Sequence, residues 1–472
     1  MNDSQAVLTN EPESVPAELP PAQPSRVLDL TPVMILVTVG LVSGVILQRS
    51  RLMDSPNDSS RRNTVYYLVE HSTYEYLPIP REQVPWAIRG TKEGELPLWD
   101  TPVLWTIDMI RVDGKMYSSK PPLLPTVLAG VAWIAQKVTG QTFHENPWLI
   151  QRIILIVCQV LPFVAMLLIV RRHVFRATES VWVRHFAMAV ACFGTLLTPW
   201  LITLNNHVIA AATGLIALDA AIRIWYEGRR EWYWFTIAGF FAAFTASIEL
   251  PAGLLAVILF VALLMKDHRR TLIAGLIPAL IPACAALYTN YLVTGQLMPA
   301  YESWDKDGNQ KGGFYDFPGS YWNNRKGIDA INEPKHVYLA HMLIGHDGFF
   351  SLSPILLVAL GGILVQLFGR SDRRLLAAMT LGMTAVLVCV YLVKTNNYGG
   401  GCHGFRWLFW VIPMWLLFMP AGIELFYRRA VGRYVLYSLF LVSMFTVGYA
   451  LDNPWSTNWL RALLKHAGVI NY

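Results

Sequence analysis

Apolar runs of about 20 residues recur along this 472-residue chain, and no other feature limits its folding as strongly. A helix of that length crosses about 30 Å of hydrocarbon. Inside hydrocarbon, a chain must satisfy its own backbone hydrogen bonds. Eleven spans are expected, at 30–48, 150–170, 185–203, 207–225, 232–248, 251–266, 271–293, 348–368, 374–394, 405–427 and 432–450. Charged residues make up 15% of the chain and hydrophobic residues 54%, whereas a soluble domain carries about 25% charged residues. The chain therefore reads as an all-α polytopic membrane protein, and this sets aside water-soluble catalysis and nucleic-acid binding.

Short basic linkers orient the spans. "RRHVFRATESVWVR" (171–184), "RIWYEGRR" (223–230), "KDHRR" (266–270), "GRSDRR" (369–374) and "YRRAVGR" (427–433) are expected on the cytoplasmic side. The segment 121–138 is short and starts with prolines, so it is expected to lie along the outer interface rather than to span. The loops 49–149 and 294–346 then share the outer face with the tips at 204–206, 249–251 and 395–404 and the short tail 451–472. Residues 1–28, rich in Pro, Glu and Ser, read as a disordered cytoplasmic tail with no cleavable signal peptide. Four cysteines lie in apolar runs and Cys402 in a loop, which supports neither a disulfide framework nor a zinc motif.

Polar chemistry collects on that outer face. Asp58 follows the first span closely, with Arg61 and Arg62 beside it. It is either part of a solvated loop or a general base for an acceptor hydroxyl. "DGKMYSSKPPLLP" (113–125) places Lys120 at the head of a helix, where an ammonium and open backbone N–H groups suit an anion. Tyr117 suits the headgroup layer. Asp113 and Gly114 read as a turn or as part of a sugar site. Asn206, His207 and Glu249 sit at hairpin tips, as plain turns or as sugar contacts. Arg406 follows three glycines and suits bidentate phosphate contact. The loop 294–346 could close as a lid, and a cation could use one histidine among His336, His341 and His346 near Asp347.

"YSSKPPLLP" (117–125) resembles the Lys-Pro-Pro signature of GT-C class membrane glycosyltransferases, which include protein O-mannosyltransferases and the lipid A aminoarabinose transferase. The early-loop Asp before "LVEHSTY", the "NNH" tip, the "GFFSLSPILL" run and "YGGGCHGFRWL" follow in matching order, covering most of 30–430. The resemblance implies a GT-C-like transmembrane domain over 29–450. It implies transfer of a sugar from a polyprenyl-phosphate donor to a lipid, glycan or protein acceptor at the outer face of a bacterial inner membrane. It assigns Asp58 the catalytic carboxylate, Lys120 and Arg406 the donor phosphate, Asn206 and His207 the polar tip, and a divalent cation such as Mg or Mn as a cofactor. Relatives carry an acid directly before the lysine, where this chain has Ser119. A glycolipid flippase would need midplane charges and internal repeats, and neither is evident. A glycan polymerase or ligase using lipid-diphosphate donors shares the same outer-face logic.

Overall fold

The computed structural model describes residues 28–49, 55–77, 106–303 and 313–471. The expected tail 1–28 lies outside the described residues except for Leu28. Most of the described residues are helical. Among the described residues the only strands are Met109–Val112 and Lys115–Ser118, which form an antiparallel hairpin.

Six helices are long and apolar enough to cross a membrane: Thr31–Gln48, Pro147–Ala177, His207–Trp225, His268–Thr294, Arg374–Lys394 and Ala430–Ala450. Trp232–Ile248, Leu250–Lys266, Val181–Phe193 and Leu356–Phe368 are apolar but shorter. The eleven expected spans are therefore not eleven full-length helices. The expected span 185–203 ends as a helix at Phe193, and a 3-10 turn led by Pro199 follows. The expected span 405–427 breaks into a 3-10 turn, Arg406–Val411, and the short helices Ile412–Leu416 and Met419–Glu424. Pro413 and Pro420 remove backbone donors there. Gly422 lets this broken segment press on Leu356–Phe368, since a Cβ at Gly422 would lie 1.8 Å from the Val358 carbonyl oxygen. Such small-residue contacts let helix backbones approach closely where hydrocarbon supplies no hydrophobic drive.

The bundle has two chemically different ends. At one end Asp29 pairs with Arg171 at 2.5 Å, and Leu30 N donates to His185 Nε2. Arg172 joins Asp219 and Glu227 there, and Thr178 donates to Glu424. The start of the first span and the basic linkers therefore share this end. At the opposite end Arg152 Nη2 donates to the Leu47 carbonyl at 2.7 Å. The stretch between Gln48 and Pro147 thus leaves and re-enters the bundle at one end. Helices Pro56–His71 and Leu123–Thr139 stay there and pack on each other. Glu70 accepts from Gln136 Nε2 at 2.6 Å and from Phe143 N at 2.9 Å. Leu123–Thr139, expected from its length and its prolines to lie along the interface, is an apolar helix of 17 residues.

Candidate functional site

Helix Pro56–His71 opens the site. Ser55 caps it by accepting from Asp58 N at 3.1 Å, and Pro56 takes the first turn, where an N–H would have no partner. The sequence of this helix is polar, yet every residue from Asp58 to Tyr67 is buried. Buried polar groups need partners, and these find them across the chain. Asp58 is fully enclosed. Both of its oxygens take Arg62, through Nε and through Nη2 at 2.9 Å, and Oδ2 also accepts from Thr203 Oγ1 at 2.6 Å and Leu204 N at 3.1 Å. Thr203 Oγ1 accepts in turn from Trp455 Nε1 at 2.7 Å. Both oxygens of Asp58, the residue expected from sequence to act as a base, are thus engaged by protein partners.

Arg61, on the next turn, points into the cluster. Its Nη2 donates to Asn206 Oδ1 at 2.7 Å. Burial, and then the neighbouring Arg406 guanidinium, push Arg61 down to about 10, with Asp108, Asp58 and Glu249 opposing.

The hairpin brings Lys120 in. Asp113 (φ 48°) and Gly114 (φ 82°) make its turn with positive φ at both central positions, as two-residue hairpin turns favour. Asp113 is exposed at the tip, so its expected place in a sugar site is corrected to a turn role. The pairing Met109↔Ser118 sets Asp108 beside Lys120, with Lys120 Nζ 2.8 Å from Asp108 Oδ2. Ser119 N also donates to the Asp108 carbonyl at 3.0 Å. Asp108, directly before the facing strand, is thus the acid next to Lys120. Burial pulls the Lys120 ammonium below the ordinary lysine range; Asp108 resists this, while Arg61 and Arg406 add to it. Tyr117 is half-buried in the same small cleft, with Tyr74 and Thr64.

The hairpin tips meet this cluster as expected. Glu249 Oε2 accepts from Asn206 Nδ2 at 2.7 Å and lies 2.7 Å from His207 Nδ1. Arg406 stands over the Trp455 ring, 4.6 Å from its centroid, and its buried Nε has no hydrogen-bond partner. Arg406 makes no ion pair among the described residues, and Gly399 lies against it. Arg61, Lys120 and Arg406 thus converge from three distant stretches. Sequence reasoning missed Asp108, Arg61 and Trp455 as members of this site. The "IDMIRVDGKMYSSK" alternation around a D-G turn was the available signal for the hairpin that delivers Asp108.

This cluster does not fit a divalent cation at Asp58, whose oxygens already serve Arg62, Thr203 and Leu204. A separate group does gather metal-type ligands: atoms of Glu333, His341 and His346 all lie within 4.8 Å of one another. His336 lies on the same helix, Lys335–Leu343, and is not part of that group.

No family model matches this chain, and no curated protein matches it. Solved structures do. The crystal structure of ArnT from Cupriavidus metallidurans in the apo state aligns at a TM-score of 0.50 and 11% identity, covering 89% of this chain and 65% of that one. The same protein bound to undecaprenyl phosphate aligns at 0.49 and 11% identity, covering 86% and 62%. The Archaeoglobus fulgidus oligosaccharyltransferase complex with zinc and sulfate aligns at 0.46 and 13% identity, covering 90% and 53%. This chain therefore spans about two thirds of the length of the ArnT chain it matches. ArnT, a lipid A aminoarabinose transferase, and the oligosaccharyltransferase are both GT-C glycosyltransferases, and the fold of this membrane chain is the GT-C fold that ArnT carries.

Proposed function

We propose that this chain is a glycosyltransferase that moves a sugar from a polyprenyl-phosphate donor to an acceptor at the membrane face. The observation that carries this reading is the convergence of Arg61, Lys120 and Arg406 at one end of the bundle, with Arg406 lacking a carboxylate partner among the described residues. Cations held this way suit a phosphate delivered from the lipid. That the ArnT structure has also been obtained with undecaprenyl phosphate is consistent with this donor class. The basic linkers at the opposite end favour a site on the outer, periplasmic face of an inner membrane.

The step is a single displacement. The acceptor oxygen attacks the anomeric carbon, the bond from that carbon to the phosphate oxygen breaks, and polyprenyl phosphate leaves with the electron pair. Lys120, Arg406 and Arg61 neutralise the leaving phosphate, and Tyr117 lies beside its lipid end. Placing charge where charge develops supplies most of the rate. The acceptor proton passes to the Glu249–His207 pair, whose contact to Asn206 fixes its position. Asp58 supports this cluster through Arg62 and Thr203. No step is routed through Mg or Mn, because the residues around Asp58 do not offer a cation its ligands.

The test is sugar release from a panel of radiolabelled polyprenyl-phosphate and polyprenyl-diphosphate sugars by the purified chain in lipid. Turnover that Lys120→Ala and Arg406→Ala both abolish in folded protein supports the reading. Turnover untouched by both moves the site elsewhere. No turnover together with glycolipid flux across proteoliposomes overturns the transferase reading in favour of a flippase.

A further inference from the structure

We infer that Glu333, His341 and His346 form a binding site for one transition-metal dication of the zinc type, which stiffens the segment 333–346 where it packs against the glycine-rich segment that carries Arg406. The site is separate from the phosphate cluster, and the inference does not depend on the transferase reading. Glu333 lies two residues before helix Lys335–Leu343, His341 on its last turn, and His346 in the tight turn that follows. Local sequence alone therefore brings all three together, with their ligand atoms within 4.8 Å of one another. A Zn–N bond of about 2.0–2.1 Å in tetrahedral geometry puts ligand atoms roughly 3.3 Å apart. Each of the three would close on an ion by about an ångström or less, which a loop can absorb.

The second layer is already built. His346 Nδ1 lies 2.7 Å from Asp347 Oδ2, with both side chains fully enclosed. Asp347 is held by Asn458 Nδ2 at 2.8 Å and by Arg461. A carboxylate on one imidazole nitrogen fixes the ring and raises the basicity of the other, the usual support of a metal-bound histidine. The His341 and His346 rings lie 4.1 Å apart. The donor set decides the ion. Two imidazoles and one carboxylate suit zinc and its neighbours, whereas magnesium prefers oxygen ligands throughout. This donor set therefore disfavours the Mg expected from the family resemblance.

The segment that supplies the ligands already touches the glycine-rich segment. Tyr398 OH donates to Glu333, and its ring lies 4.9 Å from His346. Asn396 Nδ2 donates to the Ile331 carbonyl at 3.1 Å, and Phe405 N to the Asp347 carbonyl at 2.9 Å. Gly399, next to Tyr398, lies against Arg406. An ion at Glu333, His341 and His346 therefore stiffens the backbone that aims Arg406.

The experiment uses the full chain in detergent, stripped with EDTA, dialysed against zinc chloride with magnesium in large excess, and measured for bound metal. One zinc per chain is expected, with a rise in melting temperature on zinc addition. Cobalt is expected to report the site through its visible absorption. His341→Ala and Glu333→Gln are each expected to weaken zinc binding at least about 100-fold, the upper end of what even an outer partner contributes, and to erase the thermal shift. Glu333→Gln keeps size and shape, so it decides the matter if His341→Ala fails to fold, as judged by its elution and its melt in EDTA. Failure of the wild-type chain to retain stoichiometric zinc, or equal retention by folded Glu333→Gln, overturns the inference. Absence of glycosyl transfer leaves it intact, because every readout is binding or stability.

Discussion

Lys120 Nζ stands 2.8 Å from Asp108 Oδ2, an ion pair made at the open end of a hairpin, just outside its strands Met109–Val112 and Lys115–Ser118. The ammonium is free to exchange this carboxylate for a lipid phosphate without losing a charge partner. Lys120→Ala is expected to abolish turnover, and Asp108→Asn to cost about 1.5–3 kcal/mol of stability, the range for a hydrogen bond to a charged group. Turnover and thermal melts on the two variants check this.

The same lysine sets a pH dependence. Its value in the fold is depressed below the ordinary 10.5, chiefly by burial. The unfolded chain therefore holds this proton more tightly than the folded one, and the lysine contribution to stability rises with pH between the depressed value and 10.5. For catalysis the charged form is needed, so kcat/KM for the donor is expected to fall along an alkaline limb that begins below 10.5. Lys120→Arg is expected to remove that limb while keeping some donor binding. A pH–rate profile of both proteins measures it.

Gly399 is expected to govern donor affinity without touching the donor. Its φ of +93° disfavours any side chain, and a Cβ there would lie 3.0 Å from Arg406 Nε. Gly399→Ala costs about 1–2 kcal/mol in backbone strain and displaces the guanidinium from the Trp455 ring. KM for the donor is expected to rise about tenfold, the equivalent of 1.4 kcal/mol, with kcat less affected. Steady-state kinetics against donor concentration separate the two.

How far the site could be read from sequence follows from which forces act locally. Span positions follow from runs of apolar residues, because hydrocarbon rewards composition over about 20 residues. Lys120, Asn206, His207, Glu249 and Arg406 were legible because a polar residue at the edge of a span is conspicuous, and the fold brings all five to one end. Helix Pro56–His71 was not legible as a buried element. Its polarity suggests a solvated loop, and only long-range partners such as Thr203 and Asn206 show it enclosed. The enclosure of Asp58 is hidden from sequence for the same reason: its four contacts come from Arg62, Thr203 and Leu204, two of them well over a hundred residues away. The close approach of 405–427 to Leu356–Phe368, where Gly422 meets Val358, is a packing fact that hydropathy does not encode.

Gly422→Ala is accordingly expected to destabilise the bundle while leaving the site chemistry unchanged. The added methyl would lie 1.8 Å from the Val358 carbonyl, and Gly362 on the facing helix is just as tight against Phe418. Overpacking of this kind costs about 1–3 kcal/mol or more. A lower melting temperature with KM for the donor unchanged in the surviving folded protein is the expected outcome.

The sharpest separation of roles lies between Asp58 and Glu249. Both are buried acids at the site end, and the sequence resemblance gives the catalytic role to Asp58. Asp58 spends its oxygens on Arg62, Thr203 and Leu204, so Asp58→Asn is expected to leave a buried guanidinium without its partner, at about 3–5 kcal/mol. Folded yield and activity should then fall together. Glu249 touches Asn206 and His207, neutral partners when the imidazole is uncharged. Glu249→Gln keeps one hydrogen-bonding oxygen and loses the proton acceptor. Turnover is expected to fall about 10²–10⁴-fold, the range for removing a general base, while the melt stays close to that of the wild type. Parallel melts and turnover on the two variants decide it: if Asp58→Asn folds normally yet loses all turnover while Glu249→Gln remains active, the base is Asp58 after all, and the arrangement of its hydrogen bonds must open when the acceptor binds.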